Sequence, residues 1–135
     1  MHDELVIDAV VRNLPKVMAF IEGYLKQTDC GAKARMQICV AVEEIFVNIA
    51  TYAYKGRSGS VEMRIEFTQD PAVMITFADY GAPFDPLEEK DPDVTLPASE
   101  RRIGGLGIYM AKKSMDCMEY DYRDGKNILT LKKKL

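Results

Sequence analysis

The fold of this chain is decided by residues 61–67, which read VEMRIEF. Apolar and polar side chains alternate there without a break, as they do in a β-strand with one buried and one solvated face. A sheet with one wet face favours antiparallel pairing. Residues 69–71 read QDP, a turn sequence, and a second apolar run follows over residues 72–78. The pattern therefore predicts a β-hairpin.

Two helices are predicted upstream of the hairpin. Asn13 as N-cap and Pro15 in the first turn mark the start of one helix, which should run to about Gln27. After a break at Gly31, a longer helix is predicted over residues 32–53. Its apolar stripe consists of Ile38, Cys39, Val42, Phe46, Ile49, Ala50 and Ala53, and Glu44 and Asn48 fall on nearly the opposite side.

Three strands and a helix complete the predicted elements. The strands cover residues 5–11, 118–122 and 127–133, and the helix covers residues 105–115. Residues 84–103 hold three prolines and little periodicity, which predicts a long loop of the kind that is usually functional or disordered in a compact domain. We therefore predict one domain over residues 1–135. It is an α/β two-layer sandwich with a mixed, mostly antiparallel sheet and helices on one face.

Charge and hydropathy argue against nucleic-acid-binding and membrane-spanning proteins. The chain has 135 residues with 18 basic and 21 acidic side chains, for a net charge of −3. Its one dense basic run, residues 132–134, is too small for a nucleic-acid-binding surface. No apolar stretch approaches the roughly 20 residues of a membrane span, and acidic residues near the start argue against a signal peptide. We expect a cytoplasmic protein that contacts neither nucleic acid nor membrane.

The chain contains one histidine and three cysteines. The single histidine is His2, at a terminus that we expect to be mobile. Its position argues against a Ser-His-Asp triad, a Cys-His dyad and most zinc sites. Cys30, Cys39 and Cys117 are an odd number without close spacing, which argues against a disulfide framework and favours a reducing, intracellular setting.

Asp79 is the first candidate functional residue. In the strand alternation it shares a face with Val73, Ile75 and Phe77, so its carboxylate points toward the helix-covered side, where it needs a hydrogen-bond partner. One interpretation is an Asx turn ahead of Gly81. The other is a carboxylate that accepts a hydrogen bond from a ligand's amino group, with Gly81 letting a flat ring approach the backbone.

Glu44 and Asn48 are the second candidate. They are four residues apart and therefore stack on one helical face. They are either a solvated surface or an oxygen pair suited to a hard cation such as Mg²⁺, which prefers a few oxygens plus phosphates and waters. Glu44 can alternatively act as a base toward a hydroxyl or a water.

Residues 104–108, GGLGI, lie at the predicted junction of loop and helix. Glycines at a helix N-terminus expose backbone N–H groups and let a phosphate approach, although a simple hinge would look the same. The cluster is not a Walker A sequence, because no Lys-Ser/Thr follows. It is not a dinucleotide fingerprint either, because it does not follow a strand.

In combination these features resemble the histidine-kinase-like ATPase superfamily, whose nucleotide pocket is the Bergerat fold. Within it the chain resembles the anti-sigma factor serine kinase family. The similarity extends from about residue 5 to residue 131. It is carried by VEEIFVN (42–48), DYGAPFDP (79–86), RIGGLGI (102–108) and NILTL (127–131).

The resemblance implies ATP and Mg²⁺ as ligands and gives each candidate a role. Asn48 would ligate Mg²⁺ and Glu44 would be the general base. Asp79 would bind the adenine amino group, with Gly81 lining the base pocket. The phosphates would lie against Gly105 and Gly107.

The long loop would be the ATP lid. The resemblance assigns residues 84–103 to it. Arg101 or Arg102 would then either reach a phosphate when the lid closes or remain a solvated lid charge.

Two positions depart from the family pattern. Tyr52 stands where many relatives have a histidine four residues after the Asn, and Asn127 stands where the superfamily often has a threonine. Because Asn127 shares its strand face with Leu129 and Leu131, we still predict that it points into the pocket, forms hydrogen bonds there and contributes to nucleotide binding.

Three functions are compatible with these residues. The resemblance implies a Mg²⁺-dependent kinase that phosphorylates a serine of an anti-sigma antagonist protein, with a sigma factor as second partner and a homodimeric state. The alternative is an ATP-binding regulatory module that sequesters a partner without turnover. The presence of Glu44 favours the kinase, because a pure binder needs Asn48 and Asp79 but no base. A phosphorelay kinase would need a phosphoacceptor histidine in another chain.

Overall fold

The computed structural model describes residues 2–88 and 105–135. These residues form five strands and three α-helices, as predicted. In chain order the elements are β1 (His2–Asp8), a 3-10 turn (Val11–Asn13), α1 (Leu14–Leu25), α2 (Ala32–Tyr52), β2 (Ser60–Thr68), β3 (Ala72–Asp79), a 3-10 turn (Pro86–Glu88), α3 (Gly105–Ser114), β4 (Cys117–Arg123) and β5 (Lys126–Lys134).

The sheet has the strand order β1-β2-β3-β5-β4, and every pairing between its described strands is antiparallel. The predicted hairpin is present as β2 and β3, with Val61 opposite Asp79 and Ile65 opposite Ile75. Strand β5 lies on the other side of β3 and places Asn127 opposite Asp79. The α/β class predicted from the sequence is thereby confirmed.

The core lies between one face of the sheet and the helices. The alternating apolar residues of three strands are buried there against α1, α2 and α3. They are Val61, Met63 and Ile65 of β2, Val73, Ile75 and Phe77 of β3, and Leu129 and Leu131 of β5. Removing a side chain of this size from water stabilises the fold by about 1.5–3 kcal/mol.

Helix α2 is buried on a wider arc than its sequence pattern predicts. Ile38, Val42 and Phe46 of the predicted stripe are buried, but Ala41 and Ile45 are buried as well. Helix α3 packs against α2 in addition to the sheet and α1. The side opposite the predicted stripe is also partly covered, because Glu44 and Asn48 are half-buried.

The structure modifies two local predictions near the start of the chain. Asn13 occupies the N-cap position of α1, but its side chain donates to the Asp8 carbonyl (3.0 Å) and makes no cap hydrogen bond. The reason is the preceding 3-10 turn, which gives Asn13 helical dihedral angles (φ −87°, ψ −1°) in place of the extended ones that a capping side chain needs.

The first strand begins earlier than predicted, so His2 belongs to β1 and pairs with Glu66. This pair lies at the end of the sheet opposite Asp79. Among the described residues, no helix is long and apolar enough to cross a lipid bilayer.

Candidate functional site

A cavity of about 540 Å³ opens beside the C-terminal half of α2, within the size range of small-molecule sites. Its walls come from α2 and the residues after it, the end of β3, the segment that follows β3, and one or two residues each of α3, β4 and β5. The lining residues are Ile45, Asn48, Ile49, Thr51, Tyr52, Ala53, Lys55, Phe77, Asp79, Ala82, Pro83, Phe84, Pro86, Ile108, Tyr120, Asn127 and Leu129.

Asp79 is the buried carboxylate of this cavity, with 6% of its surface exposed. Its Oδ1 accepts hydrogen bonds from the Gly81 N–H (2.9 Å) and from Nδ2 of Asn127 (3.0 Å). The first of these bonds is the Asx turn that the sequence predicts. Among the described residues no hydrogen bond reaches Oδ2, so one oxygen of a carboxylate in the cavity wall can accept a ligand's N–H.

Gly81 lies where the backbone after β3 crosses the end of α2. A Cβ at this position would overlap the carbonyl oxygen of Ala53 and would lie 3.0 Å from Oδ1 of Asp79. The missing side chain therefore lets two backbone segments meet. Gly81 is not among the residues that line the cavity.

Tyr54 holds the same turn from the other side. Its hydroxyl accepts a hydrogen bond from the Tyr80 N–H (2.8 Å) and donates one to the Ser60 carbonyl (2.6 Å). Burial raises the pKa of the Tyr54 hydroxyl, so the group stays protonated and keeps its donor. The end of α2, the start of β2 and the end of β3 are thereby tied at one point.

Asn127 is the most connected side chain of the site, and only 8% of its surface is exposed. Its Oδ1 accepts from the Phe84 N–H (3.0 Å) and from the Tyr120 hydroxyl (2.5 Å). Its Nδ2 lies within hydrogen-bond distance of Asp79 Oδ1, and of the carbonyls of Gly81 (3.2 Å) and Ala82 (3.0 Å). Burial also raises the pKa of the Tyr120 hydroxyl, which keeps it a donor.

Glu44 and Asn48 occupy the α2 side that faces α3. Asn48 lines the cavity, whereas the half-buried Glu44 lies against the first turn of α3. A Cβ at Gly107 would overlap the Glu44 carboxylate at Oε2. A side chain at position 107 would therefore displace the Glu44 carboxylate from its place against α3. In the described part of the chain, no group of three or more His, Cys, Asp or Glu side chains could hold a metal ion.

The structure brings Asp79, Asn127 and Asn48 to one cavity and places Glu44 beside Gly107. Gly105 begins α3. The predicted ligands Arg101 and Arg102, and most of the predicted lid 84–103, lie outside the described residues.

Sequence reasoning did not predict roles for Tyr54 and Tyr120. Both act through hydroxyl groups that reach neighbouring elements, and no local pattern marks such bonds.

A family model described as the histidine kinase-like ATPase domain matches residues 7–133 of the chain. Curated relatives carry kinase names. A serine/threonine-protein kinase, BtrW of Bordetella bronchiseptica, is 24% identical over 130 residues, covering 96% of this chain and 91% of the relative. The serine-protein kinase RsbW of Bacillus pumilus is 26% identical, with 93% of this chain and 86% of the relative covered.

Solved structures share the fold. The RsbU and RsbW domains of a Mycobacterium tuberculosis protein match with a TM-score of 0.69 at 18% identity over 98% of this chain, which spans only 32% of that solved chain. The histidine kinase domain of a blue-light-activated histidine kinase from Erythrobacter litoralis matches with a TM-score of 0.59 at 16% identity. That match covers 97% of this chain and 66% of the other.

Proposed function

We propose that this chain, because it belongs to the histidine kinase-like ATPase domain family, binds ATP and acts as an anti-sigma-factor-type protein serine kinase. Residues 1–135 would form a single such domain, in keeping with the family match over residues 7–133. The kinase names of its relatives support the reaction class. The observation that carries the proposal is Asp79, a buried carboxylate with Oδ2 available in the wall of a 540 Å³ cavity.

The cavity suits the adenine end of ATP. Apolar side chains of Ile49, Phe77 and Leu129 line it and would cover the faces of the base. Asp79 would accept the hydrogen bond of the 6-amino group through Oδ2. A hydrogen-bond donor such as an N–H fits opposite this oxygen, whereas a carbonyl would place two acceptors face to face.

The phosphates would extend from the cavity toward the start of α3. Gly105 and Gly107 stand in its first turn, where backbone N–H groups point outward and the helix dipole favours anions. Arg102 is proposed to reach the same phosphates. The absence of a side chain at Gly107 also keeps Glu44 in direct reach of this turn.

Mg²⁺ fits the donor set, because it takes one or two protein oxygens together with phosphate oxygens and waters. Asn48 lines the cavity on the side of Glu44 and would supply the amide oxygen. When bound, Mg²⁺ would neutralise charge on the transferring phosphoryl group.

Glu44 would be the general base. It would take the proton of the acceptor serine while the serine oxygen bonds to the terminal phosphorus and the bond to the bridging oxygen of ADP breaks. The products are ADP and a phosphoserine. From the resemblance, we propose a serine of an anti-sigma antagonist protein as acceptor, a sigma factor as second partner, a cytoplasmic setting and a homodimer.

The binding step is tested with Asp79→Asn. We expect this variant to weaken ATP binding about 10- to 100-fold, because an amide cannot satisfy Gly81, Asn127 and the adenine amino group together. Asp121→Asn, an exposed carboxylate of β4, is the matched control. Calorimetry with ATP measures both, and equal affinities for the two variants would refute the adenine assignment.

The chemical step is tested with Glu44→Gln, and Glu43→Gln provides an exposed control one residue away on α2. The variants are incubated with labelled ATP, Mg²⁺ and anti-sigma antagonist proteins from the same genome. We expect Glu44→Gln to lower phosphoserine formation about 10²- to 10⁴-fold while ATP remains bound. Phosphoserine formation by Glu44→Gln at the rate of Glu43→Gln would contradict the base role. Tight antagonist binding by the unmodified protein without any transfer would favour the regulatory module.

A further inference from the structure

We infer that Asn127 is a positioning residue that contacts no nucleotide, and that it sets the preference for a 6-amino base by fixing the Asp79 carboxylate and the backbone of residues 81–84. The inference rests on the proposed function, because it concerns how the cavity would select ATP. It differs from the role predicted from the sequence, in which Asn127 itself would contact the nucleotide.

The hydrogen-bonding capacity of Asn127 is already used by the protein. An amide oxygen has two lone pairs, and here they accept from the Phe84 N–H and the Tyr120 hydroxyl. The two N–H bonds of Nδ2 are shared among Asp79 Oδ1 and the carbonyls of Gly81 and Ala82. No donor or acceptor is left for a ligand.

The orientation of this amide is set by its neighbours. Turning it over would place the amide nitrogen against the Phe84 N–H and the amide oxygen against three acceptors. Each mismatch would remove a hydrogen bond from a buried or half-buried polar group, which disfavours the turned-over amide. The side chain therefore has a single satisfied arrangement, and the Tyr120 hydroxyl reinforces it.

Asp79 receives its orientation from this arrangement. Two donors, the Gly81 N–H and Nδ2 of Asn127, both engage Oδ1. The carboxylate cannot exchange its oxygens without breaking these bonds, so Oδ2 alone remains available. A fixed acceptor distinguishes a base with a 6-amino group from one with a 6-oxo group. The oxo oxygen and Oδ2 of Asp79 are both acceptors, so neither would receive a hydrogen bond from the other.

A threonine at position 127 could not do the same. Its hydroxyl supplies one donor on a shorter side chain, whereas Asn127 bonds Asp79, two carbonyls and the Phe84 N–H at once. We therefore expect Asn127→Thr to release the backbone at residue 84 even where it keeps a bond to Asp79.

The first experiment needs no nucleotide. Amide hydrogen exchange at Phe84 is measured by NMR in the full chain and in the variants Asn127→Thr and Tyr120→Phe. Tyr122→Phe, an exposed tyrosine of the same strand, is the control. We expect exchange at Phe84 to accelerate at least about tenfold in Asn127→Thr and by a smaller factor in Tyr120→Phe. Wild-type protection of Phe84 in Asn127→Thr would overturn the inference.

The second experiment measures dissociation constants for ATP and for inosine triphosphate, which carries the 6-oxo group. We expect the unmodified protein to prefer ATP. In Asn127→Thr and in the near-isosteric Asn127→Asp, the ATP preference should fall about tenfold or more. Loss of overall stability would not change this ratio in the folded fraction.

The outcomes separate the two proposals. In one outcome the unmodified protein binds neither nucleotide and still shows the expected exchange pattern at Phe84. That result contradicts the proposed function and the base preference assigned to Asn127. It supports the positioning of the backbone by Asn127. A wild-type ATP preference in Asn127→Thr contradicts the inference alone. If Asn127→Asp does not fold, Asn127→Thr and Tyr120→Phe carry both measurements.

Discussion

A close backbone approach at the site depends on one missing side chain. At Gly81 the chain passes so near the Ala53 carbonyl that a Cβ has no space, and the Asp79 carboxylate closes the other side. The neighbouring atoms belong to backbone and to a hydrogen-bonded carboxylate, so neither can move cheaply. The position of the Asp79 carboxylate is therefore coupled to the end of α2.

We expect Gly81→Ala to destabilise the fold by about 1–3 kcal/mol through overpacking and to weaken ATP binding. Gly23→Ala is the control, because a Cβ at this exposed position of α1 meets no atom within 4 Å. That change should be neutral or stabilise the fold by up to about 1 kcal/mol. Urea unfolding and calorimetry measure the two quantities, and equal stabilities of the two variants would contradict the crossing described at Gly81.

Sequence reasoning found Asp79 because a carboxylate at the end of an apolar strand face is a local signal. Its Asx turn is confirmed, and its role toward a ligand stays a prediction. Tyr54 and Tyr120 gave no such signal, since a tyrosine in an apolar context looks like a core residue until its hydroxyl partner is known. Asn127 was found only through the strand alternation and the family pattern.

At the scale of elements, Tyr54 joins three of them through one hydroxyl. Tyr54→Phe leaves the Tyr80 N–H and the Ser60 carbonyl without this partner. We expect a loss of about 1–3 kcal/mol in the free energy of unfolding, together with weaker ATP binding. Tyr122→Phe, for which no hydrogen bond is found among the described residues, is the control. A Tyr54→Phe variant as stable as Tyr122→Phe would show that water replaces the hydroxyl.

The turn between β2 and β3 contains an acid-sensitive contact to β5. Hydrogen bonds from Lys132 (2.8 Å) and from Thr68 lower the pKa of Asp70 to about 2 from 3.8. Because the pKa is lower in the folded state, this contact stabilises the fold fully above about pH 4. The stabilisation is lost as the pH falls toward 2.

We expect Asp70→Asn to flatten the pH dependence of stability between about pH 4 and pH 2 and to leave the rest of the profile unchanged. Urea unfolding midpoints across this range measure it. The difference between the two proteins should shrink at high salt, because the pair is exposed and screened. An identical acid profile for both proteins would contradict the contribution of Asp70.

The element boundaries show where local patterns fail. The alternation of β2 predicted its buried face, because successive side chains of a strand point to opposite faces of the sheet and the helices cover only one of them. On α2 the stripe pattern missed Ala41 and Ile45, because α3, more than fifty residues later in the chain, also packs against this helix. Asn13 is the N-cap residue of α1 as predicted, but its side chain makes no capping hydrogen bond because the turn before it changes its backbone angles.

At the scale of the whole molecule, periodicity predicted the class, the number of elements and the hairpin. The strand order β1-β2-β3-β5-β4 was not predicted, because it depends on pairings between distant segments. The candidate site likewise depends on contacts between segments that are distant in the sequence. Asn48, Asp79 and Asn127 come from three separate elements, and only the folded sheet and α2 bring them to one cavity.

The pairing of Asp79 with Asn127 also has a consequence for biosynthesis. Proteins emerge from the ribosome N-terminal end first, and β3 leaves it well before β5. Until the residues around 127 emerge, the nascent chain has the carboxylate of Asp79 without its amide partner, and the backbone at Ala82 and Phe84 lacks its hydrogen bonds to Asn127. The cavity is thus completed only when β5 joins the sheet, so nucleotide binding should follow translation of that strand.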